Sequence, residues 1–343
     1  MSVRKIFATL FVLAVVVLSF SFVSAQGSDL GTEGNPIQVY FVPSVEASVI
    51  VAGGEVMSQA LEAATGLKFE VSVPTSYAAT VEAMCASPGN TMGFIPAAGY
   101  IIASDRCGVE VGAAAVRFGW SVYWTEYIVR RDSDIYTFGD LAGKTWGYGE
   151  ATSTSGYVVP VTELAQAGIE PGSTVETGGH NQTVLAVYNG EVDFGTTFFS
   201  PPLMPEGHAA WQIGDLPEPY DLGFEDSFVS DDGSKLMVGD TRILDARANV
   251  RDTAPDVIDL VRILRISQPI PNDTLSFGPD FPAETRTQII DALIAFSGTE
   301  EWAQSIGNAD FYGWTSLTPV EDSAYDIVRD MIANVPSLAE RYQ

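Results

Sequence analysis

Basic residues are scarce in this 343-residue chain: 17 Lys and Arg stand against 44 Asp and Glu, giving a formal charge of −27. Such a balance disfavours nucleic acid and anionic membranes as partners. It leaves a small anionic ligand open, because surface charge is screened over about 8 Å at physiological salt and donors inside a cleft decide such binding. Histidine is scarcer still, with only His180 and His208. No H-E-x-x-H pair, P-loop or dinucleotide glycine pattern occurs, so metal hydrolysis, phosphoryl transfer and hydride transfer lack their usual parts. A G-x-S-x-G elbow is missing as well. Ser155, His180 and Asp193 supply the residue types of a nucleophile, base and orienter, yet Ser155 lies in a hydroxyl run at a helix start rather than on a strained turn. A hydrolase is therefore the outlying alternative to a binding protein, and no cofactor or metal is implied.

Long apolar runs are also lacking, except one. Arg4 and Lys5 precede the apolar run from Ile6 to Phe22, and Val23-Ser24-Ala25 follows. This is the charged, apolar and small-residue order of a secretory signal over residues 1–25; an uncleaved anchor helix is the alternative. No cysteine follows the run, so a lipoprotein anchor is not indicated. The expectation is an exported protein at the periplasmic or extracellular face of the envelope. Removing residues 1–25 takes the formal charge to −29. The 318 residues that remain exceed one average domain and predict two lobes. The two cysteines, Cys85 and Cys107, both lie in the exported part, where a disulfide is favoured. It would close a loop of about twenty residues, worth roughly 3 kcal/mol.

Residues 26–36, polar and Gly-rich, read as a flexible leader. Ile37 to Phe41 then predicts a strand, Val49 to Thr65 a helix ending at Gly66, and Phe69 to Val73 a second strand. Ser76 to Met84 predicts a helix, Thr91 to Ile95 a strand and Tyr100 to Ala103 a short helix. This alternation argues for an α/β fold with a mainly parallel sheet flanked by helices in each lobe, and ligands sit beyond the carboxyl ends of strands in such sheets. Arg117 to Arg130 is rich in aromatic and β-branched residues and reads as a first crossover strand between lobes, its aromatics serving packing.

The most informative stretch is Gly147 to Gly195. A strand ending near Gly149 leads into Thr152-Ser153-Thr154-Ser155-Gly156-Tyr157, then Pro160 and an apolar helical pattern. Ser and Thr there cap a helix, and the free N–H groups and dipole behind them favour an anion. Gly178-Gly179-His180-Asn181 and Ala186-Val187 through Val192-Asp193 follow. The order and spacing of these pieces resemble the phosphate/phosphite/phosphonate-binding proteins of ABC importers, and weaker likenesses extend over most of the mature chain.

The resemblance implies a two-lobed periplasmic-binding-protein fold of type II with two crossovers: lobe 1 over 37–121 and 263–343, lobe 2 over 122–262. It implies a monomer that closes over a small oxyanion and delivers it to a membrane permease. Ser153, Thr154, Ser155 and His180 would hold the anion from lobe 2, and Tyr77 and Tyr100 from lobe 1. Asp273, in Ile266-Ser267-Gln268-Pro269-Ile270-Pro271-Asn272-Asp273, matches a family aspartate near the ligand tail. Charge-assisted hydrogen bonds in a dry cleft are strong, so no arginine is assigned to the site. Two departures stand out. Asn181 replaces the usual aspartate after the histidine, and Ser200 stands where phosphonate binders carry a glutamate facing the ligand's amine, which argues against an aminoalkyl ligand. Residues 206–240 look like a surface insertion. Alternatives of the same class are a sulfonate or thiamine-precursor binder, or a sensor that presents its ligand to a membrane kinase.

Overall fold

The structure, a computed structural model, describes residues 29–338; the expected signal segment lies outside them. The chain opens with β1 (Ile37–Phe41), α1 (Ala47–Thr65), β2 (Phe69–Ser72), α2 (Tyr77–Ala86), β3 (Thr91–Ile95) and α3 (Ala97–Cys107). The apolar positions of β1 alternate, with Ile37, Val39 and Phe41 buried, so one face serves the core. β2 and β3 flank it in parallel. Every residue of β3 is buried, as expected of a central strand covered on both faces. Cys85 and Cys107, at the C-terminal ends of α2 and α3, are joined in a disulfide with Cα atoms 5.6 Å apart. Residues 29–36 are not a loose leader. Gly31 N–H donates to the Asn35 carbonyl, its own carbonyl accepts from Lys68 N–H, and Leu30 is buried.

The chain then forms β4 (Glu110–Arg117) and, after a tight turn, β5 (Val122–Arg130). The sequence suggested a single crossover strand over Arg117 to Arg130. The structure instead breaks it at Phe118 and Gly119, whose φ values are 48° and 85°. The second lobe continues with β6 (Thr145–Tyr148), α4 (Val159–Ala167), β7 (Ser173–Glu176), α5 (His180–Tyr188) and β8 (Phe194–Phe199). Beyond β8, the segment expected as an insertion carries a three-stranded antiparallel sheet of β9 (Ser227–Val229), β10 (Leu236–Val238) and β11 (Thr241–Arg242). It is anchored inward: Trp211 is buried, its ring centroid 5.3 to 5.7 Å from those of Trp120, Trp124 and Phe199.

The return path is α6 (Val257–Leu260), β12 (Val261–Ile266), β13 (Ile270–Pro271), β14 (Thr274–Phe277), α7 (Ala283–Phe296), β15 (Trp314–Pro319) and α8 (Asp326–Asn334). The strand orders are β15-β4-β14-β3-β1-β2 in one lobe and β12-β5-β8-β6-β7 in the other, with β13 on β5. Both sheets are mixed rather than mainly parallel. The βαβ units give the parallel halves, and the strands next to the crossings pair antiparallel. β12 pairs with β5 as far as Ile266, in the second sheet. The two crossing segments are tied together: Asn272 Nδ2 donates to the carbonyls of Ala115 and Trp120, both at 2.8 Å.

Candidate functional site

The hydroxyl run begins just past β6. Ser153 Oγ accepts from Gly156 N–H at 3.1 Å, and the Ser153 carbonyl accepts from both Tyr157 and Val158 N–H. The result is one wide π-turn over Thr154–Val158 that runs into α4, with Pro160 where no intrahelical donor is needed. Gly156 allows the close fit: a Cβ there would lie 2.9 Å from Ser153 Oγ, forcing that side chain to shift. Gly149 meets the Gly179 backbone at 3.0 Å from its own ideal Cβ position. That close approach brings the Gly-Gly-His turn, and with it the first residue of α5, against the hydroxyl run.

Between the lobes lies a small, partly open cavity of about 30 Å³, on the order of two water molecules by that measure. Ser153, Ser155, His180 and Phe198 wall it from the second lobe, and Tyr123 from the start of β5. Tyr77, Arg117, Asp273 and Tyr312 face it from the other side. His180 is buried with Nδ1 unpaired, edge-on to Phe198 at 5.1 Å. Burial, with the nearby Arg117 charge, lowers its pKa to about 4, so the ring is neutral at pH 7 and offers one donor and one acceptor. Burial raises the pKa of the Tyr77, Tyr123 and Tyr312 phenols; they are neutral donors. Tyr312 donates to the Val42 carbonyl at 2.9 Å, which fixes that wall.

Five of the residues expected to bind therefore converge: Tyr77, Ser153, Ser155, His180 and Asp273. Three others do not reach the cavity. Thr154 turns to the first lobe, where its Oγ1 accepts from Ala98 N–H at 2.8 Å. Tyr100 points away, donating to Asp322 at 2.6 Å and packing on Tyr325 at 5.2 Å. Ser200 is buried just after β8 with its hydroxyl unpaired, outside the cavity wall. The Oδ1 of Asn181 is likewise buried without a partner.

The sequence reading missed Tyr123, Tyr312 and Arg117. Arg117 ends β4, and its guanidinium lies 4.9 Å from the centroid of the Phe198 ring. Its buried Nε has no partner, and among the described residues it makes no ion pair. Burial lowers its pKa while Asp273 opposes that; the same burial raises Asp273, with Arg117 opposing. The available signal was its rarity: a cation closing the apolar run from Val111 to Val116 in a chain with 17 basic residues. Among the described residues no group of three or more His, Cys, Asp or Glu is placed to hold a metal ion.

Residues 39–325 match the family model described as "ABC transporter, phosphonate, periplasmic substrate-binding protein". The chain belongs to that family. The binding protein is 30% identical over 182 residues to the phosphate-import protein PhnD of Mycolicibacterium smegmatis, a match covering 48% of this chain and 56% of that one. It is 37% identical over 102 residues to the phosphonates-binding periplasmic protein of Escherichia coli, covering 27% and 30% respectively. The matched stretches thus span about half and under a third of these curated relatives. In fold, the binding protein resembles the binding component of an ABC phosphonate transporter from Pseudomonas aeruginosa, with TM-score 0.66, 17% identity, and 90% and 89% of the two chains covered. It also resembles PhnD1 of Prochlorococcus marinus in complex with methylphosphonate, with TM-score 0.62, 12% identity, and 87% and 97% covered. Among the described residues no helix is long and apolar enough to cross a membrane.

Proposed function

We propose that this binding protein closes over a small phosphorus oxyanion, of the phosphate, phosphite or phosphonate class, and delivers it to the membrane permease of an ABC importer. The observation that carries this reading is the convergence of Ser153, Ser155, His180 and Tyr77 on one small cavity between the lobes. Hydroxyl, imidazole and phenol groups that donate to an anion in a dry site make charge-assisted hydrogen bonds, the strong kind. The cavity's small size favours a compact ligand over one with a long tail. Binding and hinge closure are the whole of the mechanism; nothing is done to the ligand's bonds. The names of the relatives, phosphate import in one and phosphonate binding in the other, fall in the same chemical class.

The test is calorimetric titration with phosphate, phosphite, methylphosphonate, 2-aminoethylphosphonate and taurine. At least one phosphorus oxyanion should bind, and taurine should not. Ser155→Ala should weaken that binding by about 1.5–3 kcal/mol, the range for hydrogen bonds to charged groups. Tight taurine binding would move the protein to the sulfonate class. Turnover of p-nitrophenyl esters or phosphates, abolished by Ser155→Ala, would make it an enzyme.

A further inference from the structure

Arg117 and Asp273, whose charged forms have opposite sign, both line the cavity, although neither belongs to the hydroxyl run, and the buried Nε of Arg117 has no partner. Both sit on the crossing segments rather than on either lobe's own loops. The Asp273 carbonyl accepts from Ala115 N–H at 2.9 Å, and Ala115 lies two residues before Arg117 on β4. Residues two apart on a strand share a face, so the arginine and the aspartate are fixed on one wall. Asn272 pins that wall from behind through Ala115 and Trp120, and Phe198 supports the guanidinium from the second lobe.

We propose that Arg117 is a specificity-determining residue: it stands in for the ligand's own cation opposite Asp273, so that the site selects compact oxyanions lacking an ammonium group. An unpaired carboxylate in a closed cavity demands a positive partner, because leaving it alone is costly. Were Asp273 alone there, a ligand with an ammonium tail would supply that partner. With Arg117 on the same wall, a positive charge of the protein's own faces the cavity beside Asp273. An incoming ammonium then meets a like charge, and a bare oxyanion gains a planar set of donors. Discrimination thus comes from a repulsive element as well as an attractive one.

This inference rests on the phosphorus-oxyanion reading, and its test separates the two. Methylphosphonate and 2-aminoethylphosphonate are titrated calorimetrically into wild type, Arg117→Gln, Arg117→Lys and Asp273→Asn at one pH and salt, with ligand-free melting as the folding control. Wild type should prefer methylphosphonate. Arg117→Gln should weaken methylphosphonate about ten- to hundredfold and shift the preference toward the amine-bearing ligand by tenfold or more. Arg117→Lys should keep the wild-type ranking. Asp273→Asn, which removes the carboxylate opposite the arginine, should shift preference further from the amine; this arm stands even if Arg117→Gln does not fold. An unchanged ratio in Arg117→Gln, a shift of Asp273→Asn toward the amine, or a wild type that prefers the amine would each overturn the role of Arg117 while leaving a phosphorus-oxyanion binder. Wild type binding no phosphorus oxyanion would overturn the functional reading, and this inference with it.

Discussion

At the scale of single residues, His180 ties ligand chemistry to acid stability. Its pKa is about 4 in the folded chain against an ordinary 6.5, so the unfolded chain binds more protons between those values. The contribution is therefore fully present above pH 6.5 and is lost as pH falls toward 4. At 1.36 kcal/mol per unit it amounts to about 3 kcal/mol. Urea denaturation at pH 7, 5.5 and 4 should show that the gap between wild type and His180→Gln narrows by this order on acidification; a constant gap would place the imidazole in a wetter site. That Ser153, Ser155 and His180 line one cavity agrees with an expectation drawn from the capping chemistry of the hydroxyl run and, for His180, from the family resemblance alone. Tyr100, expected beside them, lies elsewhere. The helix that holds it starts at Ala97 and runs to Cys107, well beyond the expected Tyr100 to Ala103, and only the packed fold fixes that its phenol meets Asp322 instead of the cavity. Arg117 was hidden for a similar reason: its opposite charge comes 156 positions later in the sequence, at Asp273.

At the scale of elements, the lobes meet through helix starts. The first N–H groups of a helix lack intrahelical acceptors, and here the second lobe supplies two. Glu150 Oε2 accepts from Tyr77 N–H at 2.8 Å, at the start of α2, and Thr154 Oγ1 accepts from Ala98 N–H in α3. Thr154→Val keeps the shape and removes the acceptor, leaving a buried donor unsatisfied in the closed form at a cost of about 1–3 kcal/mol. Ligand affinity should fall accordingly while resistance to denaturation without ligand changes less. Small-angle scattering should show a larger unliganded radius, and an unchanged affinity would mean that the bond contributes nothing to closure. The strands of the βαβ units were legible from alternation and length. β4 was not, because Ala113, Ala114 and Ala115 carry little periodic signal and the turn after it falls on Phe118 at positive φ, a conformation bulky residues rarely adopt.

At the scale of the whole molecule, the segment expected as a surface insertion is anchored in the core beside the strands that cross between lobes. Trp211 fills a cluster with Trp120, Trp124 and Phe199. Arg247, with no exposed surface, is held by Asp245 and Glu218 beneath the same segment. Arg251 reaches the first lobe through a two-pronged pair with Asp310, both contacts at 2.8 Å. Trp211→Ala should cost about 3–5 kcal/mol by chemical denaturation, the range for emptying a buried aromatic site. A loss below 1 kcal/mol would mean the segment only rests on the surface. Sequence composition gave this region as polar and acidic; that one tryptophan reaches inward from it depends on contacts with β5 and β8, which no local pattern encodes.

The two amides shared across the lobes also bear on timing. On the proposed function, a ligand leaves only after Tyr77 and Ala98 give up their acceptors, so its escape is a gated event rather than simple diffusion from a groove. Each such bond, worth about 1 kcal/mol net, slows escape roughly fivefold. On that reading dwell time is set partly by backbone groups at the helix starts, outside the cavity wall described above, and it can be lengthened or shortened without altering which anion is chosen.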